Sequence, residues 1–402
     1  MHDVAVAGCG PAGLASALLL HRAGHRVRIF ERFEAPKPVG SGLILQPVGM
    51  AVLAQLGLAE KVASLGARLD RLHGLTEPSR RVALSVTYAA IGHGLCGLGV
   101  HRATLFDALY GAAQDEGIEI VGATPLVSVE RSRGRPAVVD ANGRAHGPFD
   151  LVVDALGAHS PLAPRNRWRP LAFGALWATL PLPAAGFDPH ALEQRYARAS
   201  RMAGVLPIGR MAQGGPELAA FFWSLKDSDL PAWKERGLEA WKADVRALWP
   251  ATAPLLDAIT AREQLTFAGY GHHTLRRPWG DAIVHIGDAA HSTSPQLGQG
   301  ANMALLDALA LARALDQHRD LPAALADYAA MRRWHVRIFQ TASALFTPFY
   351  QSDSHVLPLL RDWVAAPLSR LPIADAVLAR LVAGQIAPPL AGERLPAWRG
   401  EA

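Results

Sequence analysis

Cysteine is nearly absent from this chain, and no long run of any one kind of residue occurs. The two cysteines, Cys9 and Cys96, stand far apart in 402 residues. No disulfide framework can be drawn from them, which agrees with a reducing, cytoplasmic setting. With the histidines scattered as well, no spacing suits a metal site. No stretch of about 18 uncharged apolar residues is present, so no transmembrane helix is expected. The chain enters a strand-like run at Val4 without a basic segment and long apolar core, so no signal peptide is read. Blocks of like charge are missing too. The net charge of +5 comes largely from dispersed arginines, which disfavours nucleic acid as a partner but suits attraction of anionic small molecules.

What remains is the composition of a globular enzyme. Half the residues are hydrophobic and 19% are charged, which is wrong for disorder. The length allows two domains and a large core.

Two stretches carry chemistry. The first begins with a short apolar strand at 3–7. Gly8-Cys9-Gly10-Pro11-Ala12-Gly13 follows, matching G-x-G-x-x-G, then a helix at 14–24 and a second strand ending in Glu31. This is a dinucleotide site in outline. Gly8 permits the tight turn, Gly10 lets a pyrophosphate approach the backbone, Gly13 allows close helix packing, and Glu31 accepts from ribose hydroxyls. An acid there would repel a 2′-phosphate, so FAD or NAD is expected rather than NADP. Cys9 reads as a small residue filling the turn.

The second stretch is Gly287-Asp288 through Pro295, Gly298, Gly300, Ala301 and Asn302. It lies between an apolar strand at 282–286 and a helix at 304–315. Glycines and a helix N-terminus at such a junction suit a large polar ligand with an anionic end.

Other candidates are single residues. Gln46 lies in a glycine- and proline-rich loop region, 39–47. Arg102 stands early in a helix, where it would hold phosphates or ribityl oxygens. Short strands are expected at 118–121, 126–129 and 137–140, and a strand beginning near Leu151 should return to the sheet of residue 3. From about 171 to 280 strand-like aromatic runs (173–180, 202–208, 218–225) and a helix at 233–248 suggest an antiparallel sheet covering a pocket. Trp177, Trp223 and Tyr270 are candidates to line it. His272 and His273 are candidate acid–base groups with no partner evident. The tail, 363–382, is apolar and is expected to pack on its own domain rather than on a membrane.

Assembled, these residues resemble the FAD-dependent group A flavoprotein monooxygenases, the aromatic hydroxylase family of the para-hydroxybenzoate hydroxylase fold. The resemblance rests on Gly8–Gly13 with Glu31, on Arg102, and on Gly287-Asp288 with Pro295, Gly298, Gly300 and Asn302. It implies an α/β fold: a Rossmann-like FAD-binding domain with a parallel sheet, an inserted antiparallel substrate sheet and a C-terminal helical segment. The expected divisions are 1–170 (with substrate-domain loops near 40–100), 171–275, 276–330 and 331–402. FAD contacts are expected at Gly8, Gly10, Ala12, Gly13, Glu31, Arg32, Arg102, Leu126, Asp288, Pro295, Gly298, Gly300, Ala301 and Asn302. Gln46, Trp177, Trp223, Tyr270 and Pro295 are the substrate candidates.

The resemblance also implies reduction by NADH or NADPH and a flavin C4a-hydroperoxide formed with O2, which would hydroxylate or epoxidise an electron-rich apolar small molecule. One motif departs: where the family carries Gly-Ala-Asp-Gly, this chain has Asp154-Ala155-Leu156-Gly157, with Asp154 a candidate substitute for the missing carboxylate. A flavin oxidase, dehydrogenase or reductase without nicotinamide-driven reduction is the alternative, and a non-catalytic flavin-binding protein the weaker one.

Overall fold

Two sheets organise the chain, one nearly all parallel and one nearly all antiparallel. They are seen in a computed structural model describing residues 1–35, 40–132, 134–164, 168–369, 371–392, 395, 396, 398 and 399. Val39, at the start of the glycine-rich loop, lies outside these residues.

The N-terminal unit is β1 (Asp3–Ala7), α1 (Pro11–Arg22) and β2 (Arg26–Phe30). Further on come α2 (Pro47–Gln55), α3 (Arg102–Asp115) and β3 (Leu151–Asp154). β3 pairs parallel to β1, with Val4 opposite Leu151, as its apolar run leads one to expect. The strands β4 (Phe173–Pro181) and β5 (Leu218–Lys226) belong to the second sheet. β6 (Ile283–His285) returns to the first, beside β3. The helices α4 (Gly300–Gln317) and α5 (Leu321–Tyr350) follow.

The first sheet has the order Trp279–Gly280, β6, β3, β1, β2, Glu119–Val121. Its inner strands are buried on both faces, which is why they read as unbroken apolar runs. Helices α1, α2, α3 and α4 build one core on it. On the other face Phe30, Leu126, Val138 and Phe149 form a smaller one.

The second sheet runs Thr266–Ala268, β4, β5, Arg201–Gly209, Ala191–Ala197, Arg71–Thr76, Val82–Thr87. Five strands come from the expected region, and two come from 71–87, where only loops were expected. The strand Ala191–Ala197 pairs parallel to Arg71–Thr76; all other pairings are antiparallel.

Two helix expectations change. The helix expected at 233–248 is two, Leu230–Arg236 and Leu238–Leu248, broken at Gly237 with φ +83°. That backbone suits glycine and cannot continue a right-handed helix. Helix α5 begins at Leu321, ahead of the division expected at 331. Asp320 caps it by accepting from the Ala323 N–H at 3.0 Å, with Pro322 in the first turn.

Candidate active site

The C-terminal ends of β1, β3 and β6 lie side by side, and each leads into a glycine-bearing turn. In open parallel sheets this edge is where ligands bind. After β1, Gly8 adopts φ +101°, and a Cβ there would stand 2.7 Å from the Ala155 carbonyl oxygen. A Cβ on Gly13 would run into the Gly8 carbonyl, so α1 packs on the turn as closely as backbone allows. Gly10 is different: a Cβ there would meet nothing within 4 Å. That space opens at the start of α1, which has no side-chain cap and no acid in its first turn. Unpaired N–H groups and the helix dipole favour an anion in such a place.

Glu31, buried at the end of β2, accepts from the Cys9 N–H at 2.8 Å and the Phe33 N–H at 3.1 Å. Its carboxylate keeps lone pairs for a further hydroxyl. Burial, with the Glu31 charge adding to it, pushes the Cys9 thiol up to about 12, so Cys9 fills the turn and is not a reactive thiol.

Beyond β6, Gly287 brings the second motif to the first. A Cβ on it would sit 3.2 Å from the Ala12 Cβ and 3.3 Å from the Ala304 Cβ. Asp288 is exposed next to this meeting point, and Pro295 and Gly300 are exposed further along. Gly298 closes a short 3-10 turn in the left-handed region, φ +60°, and α4 begins without a capping side chain. Two uncapped helix N-termini therefore bracket the crevice, with the Asp288 carboxylate, unpaired among the described residues, beside them.

The second loop is pinned from both sides. Asn302, fully buried, accepts from the Gln46 N–H at 2.8 Å and donates to the carbonyls of Ile44 (3.1 Å) and Gly298 (2.9 Å). On the other side Ser294 bonds Ser343 and Thr347 of α5 at 2.8 and 2.7 Å. The Gly287 N–H donates to Asp307 of α4 at 2.8 Å, and Asp307 also holds His291 and Arg332, both at 2.7 Å. Burial opposes ionisation of Asp307, yet the His291 and Arg332 charges keep its carboxyl well below the ordinary range. Sequence reasoning missed this anchor. Its only signal was one carboxylate inside the apolar run Leu305-Leu306-Asp307-Ala308-Leu309.

Gln46 is also fully buried. Its Oε1 accepts from the Tyr88 hydroxyl at 2.7 Å, while its Nε2 has no partner among the described residues. A Cβ on Gly298 would stand 3.7 Å from that nitrogen. An orphaned buried donor beside the Pro295–Gly298 turn marks a place for a ligand acceptor.

On the second sheet, the Trp177 indole N–H donates to the Tyr270 hydroxyl at 2.8 Å and the Trp177 ring lies 4.6 Å from that of Phe222. Burial pushes Tyr270 up to about 12 against the Trp177 bond and the nearby Arg102 charge, so the hydroxyl keeps its proton. Arg102 opens α3, its N–H bonded to the Ser41 carbonyl at 2.8 Å; a Cβ on Gly40 would sit 2.7 Å from its side chain. Ser41 in turn bonds Thr179 at 2.8 Å, joining the loop to β4.

Several expected residues lie elsewhere. Trp223 faces the opposite side of β5, in a core with Trp233, Trp241 and Leu256, so it is removed from the set lining the crevice. Adjacent strand residues alternate faces, and Phe222 takes that place. Leu126 buries its side chain against Phe30 and Phe149, leaving its backbone as the only group to offer. Arg32 lies over the Phe33 ring at 4.7 Å. Asp154 is no substitute for the missing carboxylate. It is fully buried, bonded to His285 Nδ1 (2.7 Å), the Ser160 hydroxyl (2.7 Å) and the Leu156 N–H (3.1 Å). His273 proves to have partners, the Ser292 hydroxyl at 2.9 Å and the Ala289 carbonyl at 3.3 Å, and burial lowers its pKa. The Nε2 of His272 has none among the described residues.

A flavin dinucleotide fits this edge of the sheet. The space at Gly10 and the uncapped α1 suit its pyrophosphate, the free Asp288 its hydroxyls, and the orphaned Gln46 amide a carbonyl of its ring. Comparison with known proteins agrees. A family model described as an FAD binding domain matches residues 1–338. The chain is 29% identical to 6-methylpretetramide 4-monooxygenase of Streptomyces rimosus over 95% of this chain and 92% of that protein. It is 28% identical to 3-amino-4-hydroxybenzoate 2-monooxygenase of Streptomyces cremeus over 82% of each chain. The structure of Klebsiella pneumoniae HpxO complexed with FAD and uric acid shares the fold, with a TM-score of 0.80 at 20% identity over 96% of this chain and 98% of that one. With its two glycine turns converging on one sheet edge and a family match over most of its length, the chain belongs to the FAD-binding domain family of group A flavoprotein monooxygenases.

Proposed function

We propose that this protein is an NAD(P)H-dependent FAD monooxygenase that hydroxylates an electron-rich, largely apolar aromatic molecule. The convergence of Gly287 with Ala12 and Ala304 carries the proposal, because it joins both halves of a flavin dinucleotide site. Gly8, Gly10, Ala12 and Gly13 with the start of α1 take the pyrophosphate. Glu31 holds the adenosine ribose, with Arg32 and the Leu126 backbone at that end. Arg102 and Asp288 hold the ribityl and phosphate region. Pro295, Gly298, Gly300 and Ala301 border the flavin pyrimidine, and Asn302 fixes their loop. The N-terminus of α4 stabilises negative charge on the reduced ring.

Held by these residues, FAD would supply the redox chemistry, with NADH or NADPH as the electron donor and O2 as the source of the transferred oxygen atom. The chain's own share is positioning and exclusion of water. Trp177 and Phe222 give an apolar wall, and the protonated Tyr270 hydroxyl donates a hydrogen bond to an oxygen of the substrate. Gln46 and Pro295 border the same space. The hydroxybenzoate in the name of 3-amino-4-hydroxybenzoate 2-monooxygenase supports an aromatic substrate. The FAD-binding part is taken as 1–170 with 276–330, and the substrate part as 171–275 with the strands at 71–87.

One observation favours a second reading, a flavin oxidase or dehydrogenase: Leu156 stands where the family has a carboxylate and Asp154 is locked away. Anaerobic mixing with NADH and NADPH, with and without a phenol panel, decides. Flavin bleaching by a pyridine nucleotide, faster with a phenol present, supports the monooxygenase. Bleaching by an organic substrate alone supports the oxidase.

A further inference from the structure

Downstream of α5 the chain forms a helical segment turned inside out. Leu357–Leu360, Arg361–Ala365 and Ala366–Ser369 run on as one helix with a π turn in its middle. Its two charged residues, Arg361 and Asp362, pair with each other away from the outer surface. Arg361 is 1% exposed, lies against the rings of both Tyr196 and Tyr350, and donates to the carbonyls of Phe349 (3.0 Å) and Arg198 (3.2 Å) and to Asp362 (2.6 Å). The outward face is apolar throughout: Val356, Leu359, Leu360, Trp363, Val364 and Leu368, at the three- and four-residue spacing of one helix face. The next helix, Pro372–Val382, adds Ile373, 83% exposed. On α5, Trp334 and Leu345 are 64% exposed. Scattered surface leucines need no explanation, but a continuous apolar helix face with its charge buried does.

We propose that this face rests on an anionic lipid bilayer, the chain binding as a peripheral protein. No helix among the described residues is long and apolar enough to cross a membrane, so the segment lies in the interface. The charge beside the exposed tryptophans selects the partner. Arg81 stacks on Trp363 at 3.5 Å and Arg337 on Trp334 at 5.4 Å. Those two arginines, with Arg333 and Arg380, are exposed and make no ion pair among the described residues. Tryptophan beside arginine at the edge of an apolar helix face is the pattern of interfacial anchoring. A second copy fits less well. In a two-fold contact the patch meets itself, and its arginines would gain few partners, since Asp353, the exposed carboxylate at the start of the face, is already paired with Lys226.

The test is flotation of the purified, FAD-loaded full chain with vesicles of phosphatidylcholine alone and of phosphatidylcholine with phosphatidylglycerol, read together with tryptophan emission. The expected result is co-flotation with the anionic vesicles, a blue shift, and loss of binding at high salt. L360D/L368D should reduce the bound fraction roughly tenfold, and R333E/R337E should weaken binding to the anionic vesicles alone. Both variants alter exposed residues, and unchanged FAD absorbance and melting temperature establish that they fold. No flotation with either vesicle overturns the proposal. So does a concentration-dependent dimer in analytical ultracentrifugation that L360D/L368D dissolves, which assigns the face to a second copy.

Discussion

At the scale of single residues, neighbouring glycines separate two kinds of constraint. Gly10 has open space where a Cβ would be, whereas Gly13 has the Gly8 carbonyl. Gly10→Val should leave the apoprotein melting temperature nearly unchanged yet weaken FAD binding by roughly tenfold or more, since it fills the anion's approach to the helix N-terminus. Fluorescence titration with FAD checks this. Gly13→Ala should instead destabilise the apoprotein by about 1–3 kcal/mol, the usual result of overpacking, as urea unfolding would show. The two positions look alike in the motif, and only the packing separates them. Trp177 and Trp223 repeat the lesson. Both are aromatic residues in strand-like runs, but residue 223 faces the helices, so Phe222 shares the crevice. Asp307 was hidden for another reason, since its partners His291 and Arg332 lie on other elements. Asp307→Asn should cost about 3–5 kcal/mol in urea unfolding, because Arg332 is left buried without its counter-charge.

At the scale of elements, what was legible was local. The unit β1–α1–β2 could be read because strand, turn, helix and acid follow one another within about thirty residues, each with its own signal. The strands at 71–87 were not: they pair with each other, but Arg71–Thr76 joins the sheet only through Ala191–Ala197, remote in sequence. The break at Gly237 hid inside an otherwise helical pattern. Gly237→Ala is predicted to lower stability by more than about 1 kcal/mol, measured by thermal unfolding, because a side chain is strained at that φ. The loop from Pro295 to Asn302 was recognised, but its anchors were not. Asn302→Ala removes three hydrogen bonds, leaves the Gln46 N–H without its acceptor, and should weaken FAD binding more than it lowers the apoprotein's melting temperature.

At the scale of the whole molecule, pH acts through a buried knot at the junction of α4, α5 and the chain's end. His335 donates its Nε2–H to the Gly384 carbonyl and accepts at Nδ1 from Arg332, and burial together with the Arg332 charge lowers its pKa to about 3. An imidazole kept neutral in the fold but free to protonate when unfolded gives stability that is whole above about pH 6.5. That stability is lost as pH falls toward about 3. Asp307, also depressed, adds a loss below the ordinary carboxylate range. Melting temperature should therefore fall steadily from pH 7 to pH 4, and His335→Gln should flatten the slope. The sheet order has a consequence for how the molecule is made. β1 leaves the ribosome first, yet its neighbour β3 waits for residues 151–154 and β6 for residues 283–285. A nascent chain stopped short of β6 would expose the Gly8–Gly13 turn with no second loop to close over a ligand, so cofactor loading belongs to the finished chain and not to its synthesis.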